Sequence, residues 1–164
     1  HKMEMEAQVL KNPSNHVFRL PQVVGNSTNE FTLINFLVAN IMSGRTYDVF
    51  SNVKRNIIDV DDVKRLVLYV LEQNISPGIH NCAMPKSHSV AEIVAVLERI
   101  IGIKSMHTLK LGRESRFPRS QLVSDAIRCG ALAYNDEYLK KTLEKYYLDD
   151  TGEPEDASQA PKKG

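Results

Sequence analysis

Three stretches of this sequence carry residue types able to do chemistry. The first is Arg55-Asn56-Ile57-Ile58-Asp59-Val60-Asp61-Asp62-Val63, an arginine followed by three closely spaced carboxylates. A planar, permanently charged guanidinium suits a phosphate or carboxylate, and three aspartates suit a metal or proton transfer. The alternation of Ile58 and Val60, with a helical pattern behind them, favours helix capping and solvation for the aspartates instead. The second stretch is Gly112-Arg113-Glu114-Ser115-Arg116-Phe117-Pro118, a polar run with two guanidinium groups. Arginines in such a loop are more often solvated than ligand-bound. The third is Leu20 to Gly25, which follows a short apolar segment and precedes a helix. In open α/β sheets, ligands bind at the carboxyl ends of strands, so that connection is where a ligand would sit. No glycine-rich phosphate loop, nucleophile elbow or HExxH sequence occurs. Cys82 and Cys129 are far apart, without a CxxC or clustered histidines, which points to two buried free thiols rather than a zinc site or disulfide.

The elements that must position these groups follow from periodicity. Residues 1–11 read as a helix stopped by Asn12-Pro13-Ser14-Asn15. It begins at amphipathic stride with no Ser, Thr, Asp or Asn ahead of it, so its start is expected to lie upstream. His16 to Leu20 is a strand ending at Pro21, and Gln22 to Asn29 reads as a loop. Thr32 opens a helix through Leu33, Phe36, Leu37 and Ile41 that closes near Gly44. Strands are expected at Tyr47–Phe50 and Arg55–Ile58. Asp61 or Asp62 should cap the helix carrying Leu66, Val67 and Val70. Ile79–Ala83 is a short strand candidate. Ser89 and Glu92 form a capping box before the apolar face of Ile93, Val94, Leu97 and Ile101. Met106–Leu111 is a further strand, and 120–128 and 136–147 are closing helices. From Leu148 onward the chain lacks apolar periodicity and is expected to be a disordered tail. The alternation of strands with helices of about 10–15 residues indicates an α/β class with parallel pairing.

Composition narrows the partners. The 164 residues are 42% hydrophobic and 25% charged, with a net charge of +1. That balance leaves no electrostatic footprint for nucleic acid or an anionic membrane. No apolar run approaches the roughly 20 residues of a membrane span, and no signal peptide opens the sequence. A cytoplasmic location is expected.

Taken in order, the segments resemble the extended short-chain dehydrogenase/reductases in their NAD-dependent epimerase/dehydratase branch. The residues that carry the resemblance are His1-Lys2-Met3-Glu4-Met5-Glu6, then Val17-Phe18-Arg19-Leu20-Pro21-Gln22-Val23-Val24-Gly25. Arg55 to Val63 resembles the family's arginine–aromatic–hydrophobic–VDDV run, and Ile79-His80-Asn81-Cys82 precedes Ser89-Val90-Ala91-Glu92-Ile93-Val94. The likeness covers residues 1 to about 147, leaving 148–164 as the tail. It implies the C-terminal portion of a Rossmann-type parallel sheet plus a small α/β substrate-binding lobe.

The resemblance also implies roles. Lys2 matches the catalytic lysine that lowers the pKa of a tyrosine four residues earlier and binds the nicotinamide ribose. That tyrosine would lie just before His1, and the phosphate-binding GxxGxxG loop would lie further upstream. Leu20 and Pro21 would flank the nicotinamide of NAD or NADP. Gln22 would face substrate, Thr32 and Leu33 would open a helix contacting a nucleotide-sugar diphosphate, and Phe50 would lie near its base. Arg55 would pair with the diphosphate, with Arg116 as a second such arginine. The parent activity would be hydride transfer at a sugar carbon, in a homodimer built through the helix ending at Lys2, with this fragment inactive alone. Two departures pull against a nucleotide-sugar substrate. The connections before Thr32 and after Phe50 are short, and Ser51 replaces a usual glycine, which equally permits a reductase of another small ketone. A non-catalytic relative that binds a dinucleotide or a protein is the alternative, and a truncated product of marginal stability is a third.

Overall fold

The computed structural model describes residues 1–113 and 119–148. It divides into two compact units, His1–Val23 with Asn56–Ser87 and Phe117–Tyr134, and Val24–Arg55 with His88–Arg116 and Asn135–Gly164.

The first unit is built on two parallel strands, β1 (His16–Arg19) and β5 (Gly78–Asn81), in register from His16↔Gly78 to Arg19↔Asn81. Helix α1 (Lys2–Val9) lies against β1, and α5 (Gln121–Arg128) against β5 and against α3 (Val60–Glu72). The apolar stripe of α3 buries Leu66 and Val70 completely. Its cap is Asp59, two or three residues earlier than the Asp61 or Asp62 that the sequence suggests. The Asp59 carboxylate accepts from the Asp61 amide at 2.8 Å while the residue itself stays extended. Capping needs that non-helical conformation, which Asp61 and Asp62, already inside the first turn, do not have. Asp62 is buried and bonds Arg65 at 2.5 Å. Asp59 caps the helix, as the sequence pattern implied, but Asp59 and Asp62 are buried rather than solvated.

Helix α1 departs from expectation. It buries none of its residues, and Met3 and Met5 are 79% and 56% exposed, so it is not amphipathic toward this unit. What ties it down is polar. Arg19 grips Glu6 through two nitrogens, the shorter contact at 2.7 Å, and that bond holds the Glu6 carboxyl below its usual range. The Asn15 side-chain amide bonds the Val9 carbonyl at 2.9 Å.

The second unit centres on α4 (Val90–Ile101), which packs on α2 (Leu33–Ser43), on α6 (Tyr138–Tyr147) and on β3 (Tyr47–Phe50). Ser89 caps α4 by accepting from the Glu92 amide at 3.0 Å, and Gly102 ends it in the left-handed conformation at φ 75°. Thr32 and Gly44 bracket α2 in the same way, with Gly44 at φ 65°. The Glu92 carboxylate, expected to fold back on its own cap, bonds the buried His88 ring at 2.8 Å. β3 pairs in parallel with β7 (His107–Lys110), Tyr47↔His107 through Phe50↔Lys110. Ile34, Leu37, Ile41, Val49, Ile93 and Leu97 are at most 1% exposed and form the core.

A three-stranded sheet in the order β2–β4–β6 comprises Gln22–Val24, Lys54–Asp59 and Ser87–Ser89. Two of these strands are absent from the sequence reading. β2 falls in a segment read as loop because Gly25 and Asn26 mask the Val23-Val24 pair. β6 is Ser-His-Ser, polar throughout, with only its central His88 buried.

The two thiols also differ. Cys82 is buried, which pushes its pKa up to about 11, whereas Cys129 is exposed at the end of α5. The thiolate is the nucleophile, so iodoacetamide at pH 8 should alkylate Cys129 within minutes and leave Cys82 unmodified until denaturant is added. Peptide mapping with equal labelling of both thiols in the native chain would contradict the structure.

Candidate functional site

In the first unit, both parallel strands end on the same side. β1 runs out into Leu20, 45% exposed, and half-buried Pro21, and Gln22 then opens β2. β5 runs out into Cys82 and the segment Ala83–Lys86, which leads to β6. These carboxyl ends are where a parallel sheet presents ligands. The second of them is held by Asn56, 1% exposed in β4. Its amide nitrogen donates to the Met84 carbonyl at 2.8 Å, the Lys86 carbonyl at 3.1 Å and Ser87 Oγ at 3.2 Å. Its oxygen accepts from the Met84 amide at 2.8 Å. One buried side chain thereby fixes a connection that has no regular structure of its own. Asn56, Met84, Ser87, Arg119 and Ser120 line a cavity of about 360 Å³ there. Ser120 bonds the Asn81 carbonyl and caps α5 through the Val123 amide at 3.1 Å. Lys2 is exposed in the first turn of α1.

Between the two strands, His16 at the start of β1 and His80, the third residue of β5, stack with centroids 5.1 Å apart and share a hydrogen bond of 2.9 Å. Burial, and then the neighbouring His16, lower the His80 pKa, which favours the neutral form of that ring.

In the second unit, Phe50 ends β3 and Arg55 lies inside β4, with the turn Ser51–Val53 between them. Arg55 is half-buried, and one of its guanidinium nitrogens donates to the Lys54 carbonyl at 3.0 Å. The turn is held by Ser51 N–H on the Lys110 carbonyl at 3.0 Å and by Val90 N–H on the Val53 carbonyl at 3.0 Å. Asn52 adds a two-way bond to Gly112, donating to its carbonyl and accepting from its amide, both at 2.7 Å. Thr32 and Leu33 sit at the start of α2, where the Thr32 hydroxyl accepts from the Asn35 amide at 3.4 Å. The Asn35 side chain in turn binds the Ser27 and Asn29 carbonyls at 2.9 Å each, and Tyr147 donates to it at 2.6 Å. Arg116 lies outside the described residues.

Asn35, Asn52 and Asn56 are the organising residues that sequence reasoning missed. Each bonds backbone groups through its side chain, and for Asn52 and Asn56 the backbone partner is 60 or 28 residues away. A cavity of about 620 Å³ beside α4 and α6 mixes Glu92, Asp136, Glu137 and Glu144 with Arg99 and Lys140. It contains none of the candidate catalytic or ligand-binding residues of the sequence reading.

Among solved structures the chain is similar to a Bacillus cereus UDP-glucuronic acid 4-epimerase in complex with UDP-glucuronic acid and NAD. The TM-score is 0.66 at 18% identity, over 87% of this chain and 47% of that one. Over the matched residues the chain shares the fold of that structure. A Bacillus anthracis dTDP-glucose 4,6-dehydratase in complex with NAD matches with a TM-score of 0.61 at 16% identity, over 84% of this chain and 46% of that one. A Pseudomonas aeruginosa protein, RMD, complexed with NADPH matches at 0.66 and 17%, over 87% and 52%. The chain therefore spans about half the length of these structures. No protein-family model matches it, and no curated protein sequence matches it significantly. Among the described residues no helix is long and apolar enough to cross a membrane, and no group of three metal-ligating side chains converges.

Proposed function

We propose that this chain is the nucleotide-sugar-binding part of an NAD(P)-dependent epimerase, dehydratase or reductase of the extended short-chain dehydrogenase/reductase family. The observation that carries the reading is the arrangement of Phe50 and Arg55 at the two ends of one rigid turn, on the epimerase/dehydratase fold. An exposed aromatic ring offers a face for stacking a base, and a guanidinium offers a bidentate partner for a diphosphate. Thr32 and Leu33 supply the opening turn of α2, whose free amides favour an anion. Gln22 would meet the sugar.

A bound nicotinamide would supply hydride transfer. On this chain Leu20 and Pro21 offer the apolar contact for its ring, and Lys2 the cation that lowers the pKa of a neighbouring phenol. The sequence contains no glycine-rich loop for the dinucleotide's phosphates, so the residues present fit only the nicotinamide end.

Calorimetry with UDP tests the reading. The chain should bind UDP, and Arg55→Ala should weaken binding at least tenfold. Arg55→Lys should recover only part of that loss, because an ammonium cannot make the paired contact. An Arg55→Ala variant that binds UDP as the parent does would refute the assignment.

A further inference from the structure

Gly112 has no conformational need to be glycine, since it is not among the glycines with positive φ. It is glycine for space. A Cβ built there would come within 2.6 Å of Val53 Cγ2, 3.0 Å of Phe50 Cδ1 and 3.1 Å of Phe50 Cβ. Val53 is 7% exposed and β-branched, so it has little room to yield. The backbone at Gly112 therefore lies directly against the Phe50 side chain. What holds it there is Asn52, whose amide meets both polar groups of Gly112 at 2.7 Å. Two further bonds brace the same turn, Ser51 N–H to the Lys110 carbonyl and Val53 N–H to the Phe50 carbonyl at 3.2 Å. The outcome is an aromatic residue that is 42% exposed yet backed by fixed backbone.

We propose that Asn52 and Gly112 are positioning residues that hold Phe50 as a preformed stacking platform for the base of a nucleoside diphosphate. The proposal rests on the nucleotide-binding reading of Phe50 and Arg55. A ring already immobilised loses little freedom when a base stacks on it, so the clamp contributes to affinity without touching the ligand. Gly112 adds what no other residue can, a backbone surface flush against the ring. Arg55 does not depend on the clamp, because it lies beyond the turn on β4.

That separation gives the test. UDP and inorganic pyrophosphate are titrated calorimetrically into the parent chain and into Asn52→Ala, Asn52→Asp and Gly112→Ala. Thermal melts confirm that each variant folds. Asn52→Ala and Gly112→Ala should weaken UDP about fivefold or more while leaving pyrophosphate unchanged. Asn52→Asp, which keeps the acceptor for the Gly112 amide but loses the donor, should fall between. UDP affinity unchanged in both Asn52→Ala and Gly112→Ala would overturn the platform while the nucleotide reading stood. Equal losses for UDP and pyrophosphate would reduce the clamp to a purely structural role and overturn it also. A parent chain with no affinity for UDP would overturn the nucleotide reading and the platform with it.

Discussion

Asn56→Ala should lower the stability of the chain by about 3 kcal/mol, the sum of lost hydrogen bonds and of backbone groups left without partners. The side chain is 1% exposed and serves four partners, so its removal leaves the Met84 amide and the Met84 and Lys86 carbonyls to find others. Truncating an exposed asparagine with one partner would cost a fraction of that. The loss should appear as a lower urea midpoint with an unchanged slope. Because Asn56 also shapes the Ala83–Lys86 connection, amide exchange there should quicken more than in the rest of the variant. A midpoint within experimental error of the parent would mean that water replaces the side chain at little cost.

The second large effect is one of acid. Glu98 is 9% exposed at the end of α4. Burial pushes its pKa upward. That push is outweighed by bonds from Lys104 at 2.9 Å, Ser105 Oγ at 2.7 Å and the Ser105 amide at 3.0 Å, which bring the pKa to about 2. The Ser105 hydroxyl passes the arrangement on to His107 at 2.7 Å. The folded value lies below the unfolded one, near 4.5. The stabilisation is therefore complete above about pH 5 and is lost progressively as pH falls toward 2. It is worth on the order of 3 kcal/mol at neutral pH. Glu98→Gln should be markedly less stable than the parent at pH 7, and the gap should narrow steadily by pH 3. A gap that stays constant across that range would assign the loss to shape rather than charge.

What could be read in advance was whatever is encoded locally. Thr32 with Gly44, and Ser89 with Gly102, mark two helices correctly because a cap and its helix are neighbours in sequence. The strands β1, β3 and β7 were legible from short apolar runs, and the α/β class from their alternation with helices. β2 and β6 were not, because a strand of three residues is defined by its partner rather than by its composition. The exposure of Met3 and Met5 was equally invisible, since periodicity shows which residues share a face but not whether anything covers it. Phe50 drew attention only through resemblance, whereas Arg55 stood out by its residue type ahead of three carboxylates. The asparagine clamps could not, since an Asn beside a turn reads as turn chemistry until its distant partner is known.

The pairing of His16 with Gly78 and of Tyr47 with His107 has a consequence for how the molecule comes into being. Each pair closes a long loop, and the two loops overlap along the chain, so neither strand pair forms from a short contiguous stretch. As the polypeptide leaves the ribosome, β1 must wait for β5, and β3, which emerges in the meantime, must wait about as long for β7. Most of the described chain has to be synthesised before both pairings can exist. Loop-closure entropy is then spent before native contacts repay it, which slows the folding of this part of the polypeptide. During that interval its β-branched segments depend on remaining unpaired with those of neighbouring nascent chains.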